Sequence, residues 1–317
     1  MNKILKNTLL IACLACSNVF SEEYDSDKIA DIFYKLNGDP SSPQAKVNHT
    51  KGICATGNFK PSPNATKSIN VPFLTQNEIP ADIRFSLGGA IKDDRSKPRG
   101  LAIKLQGKDE TWTMVMLNTE INFAKNPKEF GQFFEMRLPV NGKLDTEKIK
   151  KMTQEVDSYR NFEKYLEGIG ISNFENTPFY SIHTFWFKDS KGNMIPAKWE
   201  FLPKDGVKYL TQTELGKLDD NFLKASLEKY IENKPVEYDM YIVYANKGDV
   251  TDDTTALWSG KHKRELVGTL SVSGFNGDSC NADVYFPAEL PNGIDAPKDP
   301  LFEVRNTTYA VTFGRRL

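Results

Sequence analysis

His49, His183 and His262 are the only histidines in 317 residues. Imidazole titrates near ~6.5, so it can lift a proton from one oxygen and deliver it to another at neutral pH. A metal held by three or four histidines would consume them all, which counts against that chemistry. A second candidate is Arg305 with Tyr309, four residues apart. On a helix they share a face, where the permanent guanidinium charge would favour the phenol's anion. Taken alone, this spacing equally describes an aromatic core residue beside a surface arginine. Gly-x-Gly-x-x-Gly, Walker A, His-Glu-x-x-His and Gly-x-Ser-x-Gly patterns are absent, so the common nucleotide, zinc-protease and hydrolase signatures do not apply. Charge is balanced, 41 Lys+Arg against 42 Asp+Glu for a net −1, and gives no electrostatic case for nucleic acid. The hydrophobic share of 39% suffices for a core, and four cysteines are too few for a disulfide-dense scaffold.

The elements that must position these residues follow from periodicity. Residues 1–21 read as a secretory signal: Lys3 and Lys6 precede an apolar run from Thr8 to Phe20, with a cleavage site at Val19-Phe20-Ser21. The mature chain, 22–317, would be exported, with Cys54 and Cys280 as its cysteines, either paired or left as buried thiols. Helices are expected over 24–37, 145–168, 211–233 and 300–316, the last opening at Pro300. Alternation marks extended chain at 49–59, 83–86, 100–106, 111–117, 235–246 and 265–272. A hairpin is expected over 181–188 and 197–202 about Lys191-Gly192-Asn193. The sum is an α+β fold: one domain built on an antiparallel sheet of about eight strands, interrupted by helices.

Six ordered blocks then carry a resemblance across residues 30–316. Lys46-Val-Asn-His49-Thr-Lys-Gly52 resembles the distal-histidine segment of haem catalases. Ile83-Arg84-Phe85-Ser86 with Asp94 to Lys104 is similar to the following block. Trp112 to Phe130, containing Asn118 and Phe123, is similar to a third. Tyr180-Ser-Ile-His183-Thr-Phe185, Pro235 to Tyr238, and the set Asp299, Arg305, Tyr309 and Arg316 complete it. The chain resembles the small catalase-related peroxidases of the haem catalase superfamily.

That resemblance implies an antiparallel eight-stranded β-barrel with surrounding helices, holding haem b. It implies Tyr309 as the iron ligand, with Arg305 against its phenolate and His183 and Asp299 bracing Arg305. His49 would be the distal acid–base, Ser86 its support and Asn118 the amide that holds the peroxide. Arg84, Lys46 and Arg316 would face the haem carboxylates, and Phe123 and Phe130 would wall the distal side. The implied activity is reduction of hydrogen peroxide or an organic hydroperoxide by a small organic electron donor, in the periplasm, by a monomer or dimer. A true catalase and a non-catalytic haem binder are the alternatives. Neither nucleic acid nor, after signal cleavage, a membrane is an expected partner. The sequence departs from the family pattern at Asn48, Glu120, Asn122 and Phe313, which make the surroundings of the haem more polar on the distal side and less so on the proximal side. His262, in a Lys-His-Lys-Arg run, is expected to be a solvated surface residue.

Overall fold

The computed structural model describes residues 24–317; the expected signal segment lies outside the described residues. Ten strands form one antiparallel sheet: β1 (Gly52–Pro61), β2 (Ile79–Leu87), β3 (Arg99–Gln106), β4 (Thr111–Leu117), β5 (Phe179–Tyr180), β6 (Phe185–Lys188), β7 (Met194–Pro203), β8 (Val236–Tyr244), β9 (Arg264–Gly277) and β10 (Ile294–Asp295). Their order is β10-β6-β7-β5-β4-β3-β2-β1-β9-β8, and an additional β7–β8 pairing closes eight of them into a barrel. Strand β7 holds β5 and β6 in succession along one edge and β8 along the other. Closure pairs every barrel strand on both sides and removes the exposed edges of an open sheet.

The barrel core follows from strand alternation. Ile83, Phe85 and Leu87 of β2 point inward, all at 0–1% exposure, with Ile103, Trp112, Trp199, Tyr238 and Leu270 among their fellow core residues. Trp199 stacks on Phe185 at 3.9 Å and meets Trp112 edge-on at 5.6 Å.

Helices α1 (Ser26–Asn37), α2 (Pro127–Glu135) and α7 (Pro300–Gly314) build a second, smaller core outside the barrel from Tyr24, Ile29, Phe33, Val47, Phe130 and Leu301. Arg315 ties α7 to α1 through Asp27 at 3.2 Å and Asp31 at 2.6 Å. The expected helix over 145–168 is two, α3 (Thr146–Glu155) and α4 (Asp157–Glu167), because Val156 is extended. The expected helix over 211–233 is likewise α5 (Gln212–Leu215) and α6 (Phe222–Asn233), parted by Gly216 and the Asp219-Asp220-Asn221 run. Helix α2 was not expected. It is capped by Asn126, whose side chain accepts from the Glu129 amide, with Pro127 in its first turn. His262 corrects its expectation: it pairs with Asp249 at 2.8 Å, stacks on Trp258, and its side chain is 7% exposed.

Replacing Trp199 by Ala should remove a ring from the centre of the barrel and cost about 3–5 kcal/mol. Equilibrium denaturant unfolding, with the midpoint falling and the slope kept, checks this.

Candidate active site

The outward face of β2 carries the chemistry. Arg84 and Ser86 alternate with the core residues, so they stand on the outer barrel wall, opposite Cys54 and Gly52 of β1 and Ala102 and Gly100 of β3. A cavity of about 580 Å³ lies between this wall and the α1–α2–α7 layer. It is lined by His49, Ser86, Lys46, Arg84, Phe123, Phe130, Arg305, Tyr309 and Arg316, which are nine of the twelve expected site residues.

His49 precedes β1 in a left-handed turn, φ 51°, rather than lying in a strand. Histidine tolerates this region better than bulky or β-branched residues, and local bonds offset the cost. The Asn48 side chain accepts from the His49 amide at 3.0 Å, and Arg84 Nη2 donates to the His49 carbonyl at 2.9 Å. The polar departure at Asn48 therefore has a structural role. His49 Nδ1 lies 3.0 Å from Ser86 Oγ. With the Nδ1 proton directed at Ser86, Nε2 keeps its lone pair. Burial, with Arg84, Arg305 and Lys46 adding like charge, pushes the His49 pKa down to about 3, so the ring is neutral at physiological pH. Gly100 makes room for it: a Cβ there would stand 2.7 Å from Ser86 Oγ and 3.0 Å from His49 Nδ1.

The opposing group is on α7. Arg305 Nη1 lies 2.6 Å from His183 Nε2, and His183 Nδ1 lies 2.7 Å from Asp299 Oδ2. Arginine only donates, so Nε2 of His183 accepts and Nδ1–H donates to the carboxylate. This makes His183 a neutral link. Asp299 has two duties, since its Oδ1 caps α7 by accepting from the Leu301 amide at 3.1 Å. His183 and Asp299 stand behind Arg305, outside the cavity lining. The Tyr309 hydroxyl makes no hydrogen bond with any described residue and faces the cavity.

Asn118 lies outside the cavity lining. Its Oδ1 accepts from the Arg99 amide and its Nδ2 donates to the Lys97 carbonyl, both at 2.9 Å. The side chain therefore fastens the start of β3 and does not line the cavity. Amides that do are Asn37, Asn48 and Asn122, the last 1% exposed and marked by the sequence only as a departure. Sequence reasoning also missed Tyr285, 4% exposed and in the lining, whose hydroxyl has no partner among the described residues.

The charge pattern provides the test of fit for haem. Lys46, Arg84, Arg137, Arg305 and Arg316 line the cavity, and no Asp or Glu does. Burial, and then the repulsion of its ammonium by Arg316 and Arg84, push Lys46 down to about 7. Such a cluster is a site for a dianion. An apolar wall of phenylalanines on the distal side, a free phenol on the proximal side and these cations at one edge match a dicarboxylate macrocycle carrying a metal. Among the described residues no group of three or more His, Cys, Asp or Glu could hold a metal ion by itself. The residues fit haem.

The three cations Lys46, Arg84 and Arg316 share one anchor. Lys46 Nζ donates to the Asp283 carbonyl, Arg84 Nε to Asn281 Oδ1 at 2.8 Å, and Arg316 Nη1 to the Ala282 carbonyl at 3.2 Å. This segment is fastened to β1 by a disulfide between Cys54 and Cys280. The sequence had left that pairing open.

Gly100→Ala should displace the His49 ring and slow peroxide turnover more than it alters haem content; equal loss of both would place the damage in the fold. Replacing Cys54 and Cys280 together by Ser should release the 281–283 anchor. Stability should fall by about 2–5 kcal/mol, and haem should transfer faster to an apo-globin acceptor, followed at the Soret band.

A family model described as catalase matches residues 43–317. The chain is 30% identical over 279 residues to a catalase-related peroxidase of Synechococcus elongatus, spanning 85% of this chain and 82% of that relative. It is 26% identical to a catalase of Schizosaccharomyces pombe, over 86% of this chain and 58% of the catalase. Among solved structures, catalase A of Saccharomyces cerevisiae superposes with a TM-score of 0.77 at 20% identity, over 86% of this chain and 61% of that one. The chain thus spans less than two thirds of the length of either yeast protein, and the structural likeness speaks for the fold. With the family match running over nearly all of the barrel and its helices, the chain belongs to the catalase family of haem-binding oxidoreductases that act on peroxide.

Proposed function

We propose that the protein is an exported haem b peroxidase that reduces hydrogen peroxide or an organic hydroperoxide and takes its electrons from a small organic donor. The observation that carries this reading is the neutral His49, held by Ser86, set across one cavity from the Arg305–Tyr309 pair, with unneutralised cations at its edge. Haem, when bound, supplies the iron at which the O–O bond is cleaved and which stores the oxidising equivalents. Tyr309 would hold that iron, and Arg305, oriented by His183, would stabilise the phenolate. Lys46, Arg84 and Arg316 would face the haem carboxylates.

His49 Nε2 takes the proton from one peroxide oxygen and returns it to the other, which leaves as water or an alcohol. Asn122, whose Nδ2 donates to the Ala124 carbonyl at 3.4 Å, would orient the peroxide by its remaining N–H. The phenylalanine wall keeps bulk water away from the cleavage. Two electrons and two protons from the donor complete the balance, giving two hydroxyl products per peroxide.

The peroxidase reading is favoured over a true catalase by similarity and by polarity. The chain is 30% identical to the relative named as a peroxidase and 26% identical to the fission yeast catalase. Asn48 and Asn122 both line the cavity. Export is supported by the signal-like residues 1–21 and by the Cys54–Cys280 disulfide, which suits an oxidising compartment. That disulfide also occupies both cysteines of the described residues, leaving no thiol there for covalent haem attachment, which supports haem b.

With haem supplied, His49→Gln should keep the Soret band and lower kcat/KM for peroxide by about 10²–10⁴-fold. Because the His49 pKa lies at about 3, well below its ordinary value, the base form persists in acid. The rate should therefore show no limb as pH falls from 8 through ~6.5. Turnover should require a phenolic donor. Rapid, donor-independent oxygen evolution would instead mark a true catalase, and peroxide reactivity unaltered in His49→Gln would mark a haem binder whose distal side is idle.

A further inference from the structure

The cavity has a limb that peroxide cleavage does not need. Phe123, Phe133, Phe134 and Phe162 pack around it, with Phe123 stacked on Phe133 at 3.9 Å and meeting Phe162 edge-on at 5.9 Å. Leu166 of α4 extends the same apolar lining. At this limb lies one cation, Arg137, just after α2.

Arg137 is the cation of the lining whose charge is unmatched. Lys46, Arg84 and Arg316 are assigned to the haem carboxylates and Arg305 to Tyr309. The Arg137 guanidinium lies 3.6 Å from the centre of the Phe133 ring and donates to the Phe133 carbonyl. Among the described residues no carboxylate lies within 4.0 Å of it. The neighbouring acids of α2 are otherwise engaged: Glu129 accepts from Ser158 at 2.7 Å and pairs with Lys125, and Glu135 accepts from Tyr24 and pairs with Lys28. A guanidinium has five N–H donors in a planar fork, and the Phe133 carbonyl takes one. The fork remains poised for an anion in surroundings that are half-buried and apolar, where such a bond is strong.

We propose that this limb binds an amphiphile with one carboxylate and an apolar body, the carboxylate paired with Arg137 and the body lying along the phenylalanine wall toward His49. This rests on the peroxidase reading and names the class of molecule that reading leaves open. Arg137 is then a specificity-determining residue. The carboxylate could belong to the hydroperoxide or to the electron donor, and the two share this chemistry.

The test uses haem-loaded protein and two unreactive probes, decanoate and decanol, titrated by calorimetry. Decanoate should bind about tenfold or more tightly than decanol. Arg137→Gln should erase that preference and Arg137→Lys should keep part of it, the Soret band and melting temperature reporting that both variants are folded. Equal binding of acid and alcohol by the native protein overturns the proposal, as does equal weakening of both probes in Arg137→Gln.

Turnover then assigns the source. One arm compares linoleic acid hydroperoxide with its methyl ester, using a neutral phenol as donor. The other compares a phenolic carboxylate with its ester as donors to hydrogen peroxide. A KM preference for the acid that collapses in Arg137→Gln supports the proposal in the arm where it occurs; no preference in either arm overturns it. Absence of a Soret band in the native protein would instead be a failure of the haem reading.

Discussion

Everything in the site depends on the two-residue alternation of one strand. In β2, Ile83, Phe85 and Leu87 fill the barrel while Arg84 and Ser86 leave it. A slip of one residue against β1 or β3 would bury a guanidinium and a hydroxyl among phenyl rings and expose the core. The cost of that exchange fixes the register, and the same register stands Ser86 beside His49 and Arg84 beneath the His49 carbonyl. Catalytic geometry here follows from core packing: the barrel need not enclose the site, because it presents it on its outer wall.

The second constraint is electrostatic. A cavity with five cations and no acid in its lining carries charge that folding has not neutralised. Lys46 holds its proton less tightly because it is buried first of all, and then because Arg316 and Arg84 repel it. The chain offsets part of the burden with backbone and amide oxygens from 281–283, which accept hydrogen bonds but carry no net charge. A bound dianion would offset a further part, so binding and folding would be linked: a ligand that occupies the cavity stabilises the molecule by mass action.

Much of this was legible beforehand. Helix α7 announced itself through Asp299-Pro300, and Arg305 and Tyr309 fell on its cavity side. The lysine and arginines of the edge, Ser86, His49 and the two phenylalanines all line the cavity. Where the sequence reading and the structure part, the causes are particular. Asn118 and Asn122 are the same residue type four positions apart, and only the turn after β4 decides which of them meets the cavity. Helix α2 carried its own signal, an asparagine cap followed by Pro127 and Glu129, but Asn126-Pro127 was read as part of a motif. The divided helices depended on one extended residue, Val156, and one acidic run. Tyr285 and the 281–283 anchor are brought in by tertiary approach from distant chain, and local pattern holds no trace of them. His262 looked solvated within a basic run because its partner Asp249 lies across a loop.

The order of the functional parts along the chain has a consequence for how the molecule is made. His49 comes before every barrel strand, the anchor at Cys280 comes after all eight, and Tyr309 follows both. The wall therefore precedes the clamp in the chain, and Cys54 of β1 can meet Cys280 only when all eight barrel strands are present, so the disulfide locks a barrel that is already complete.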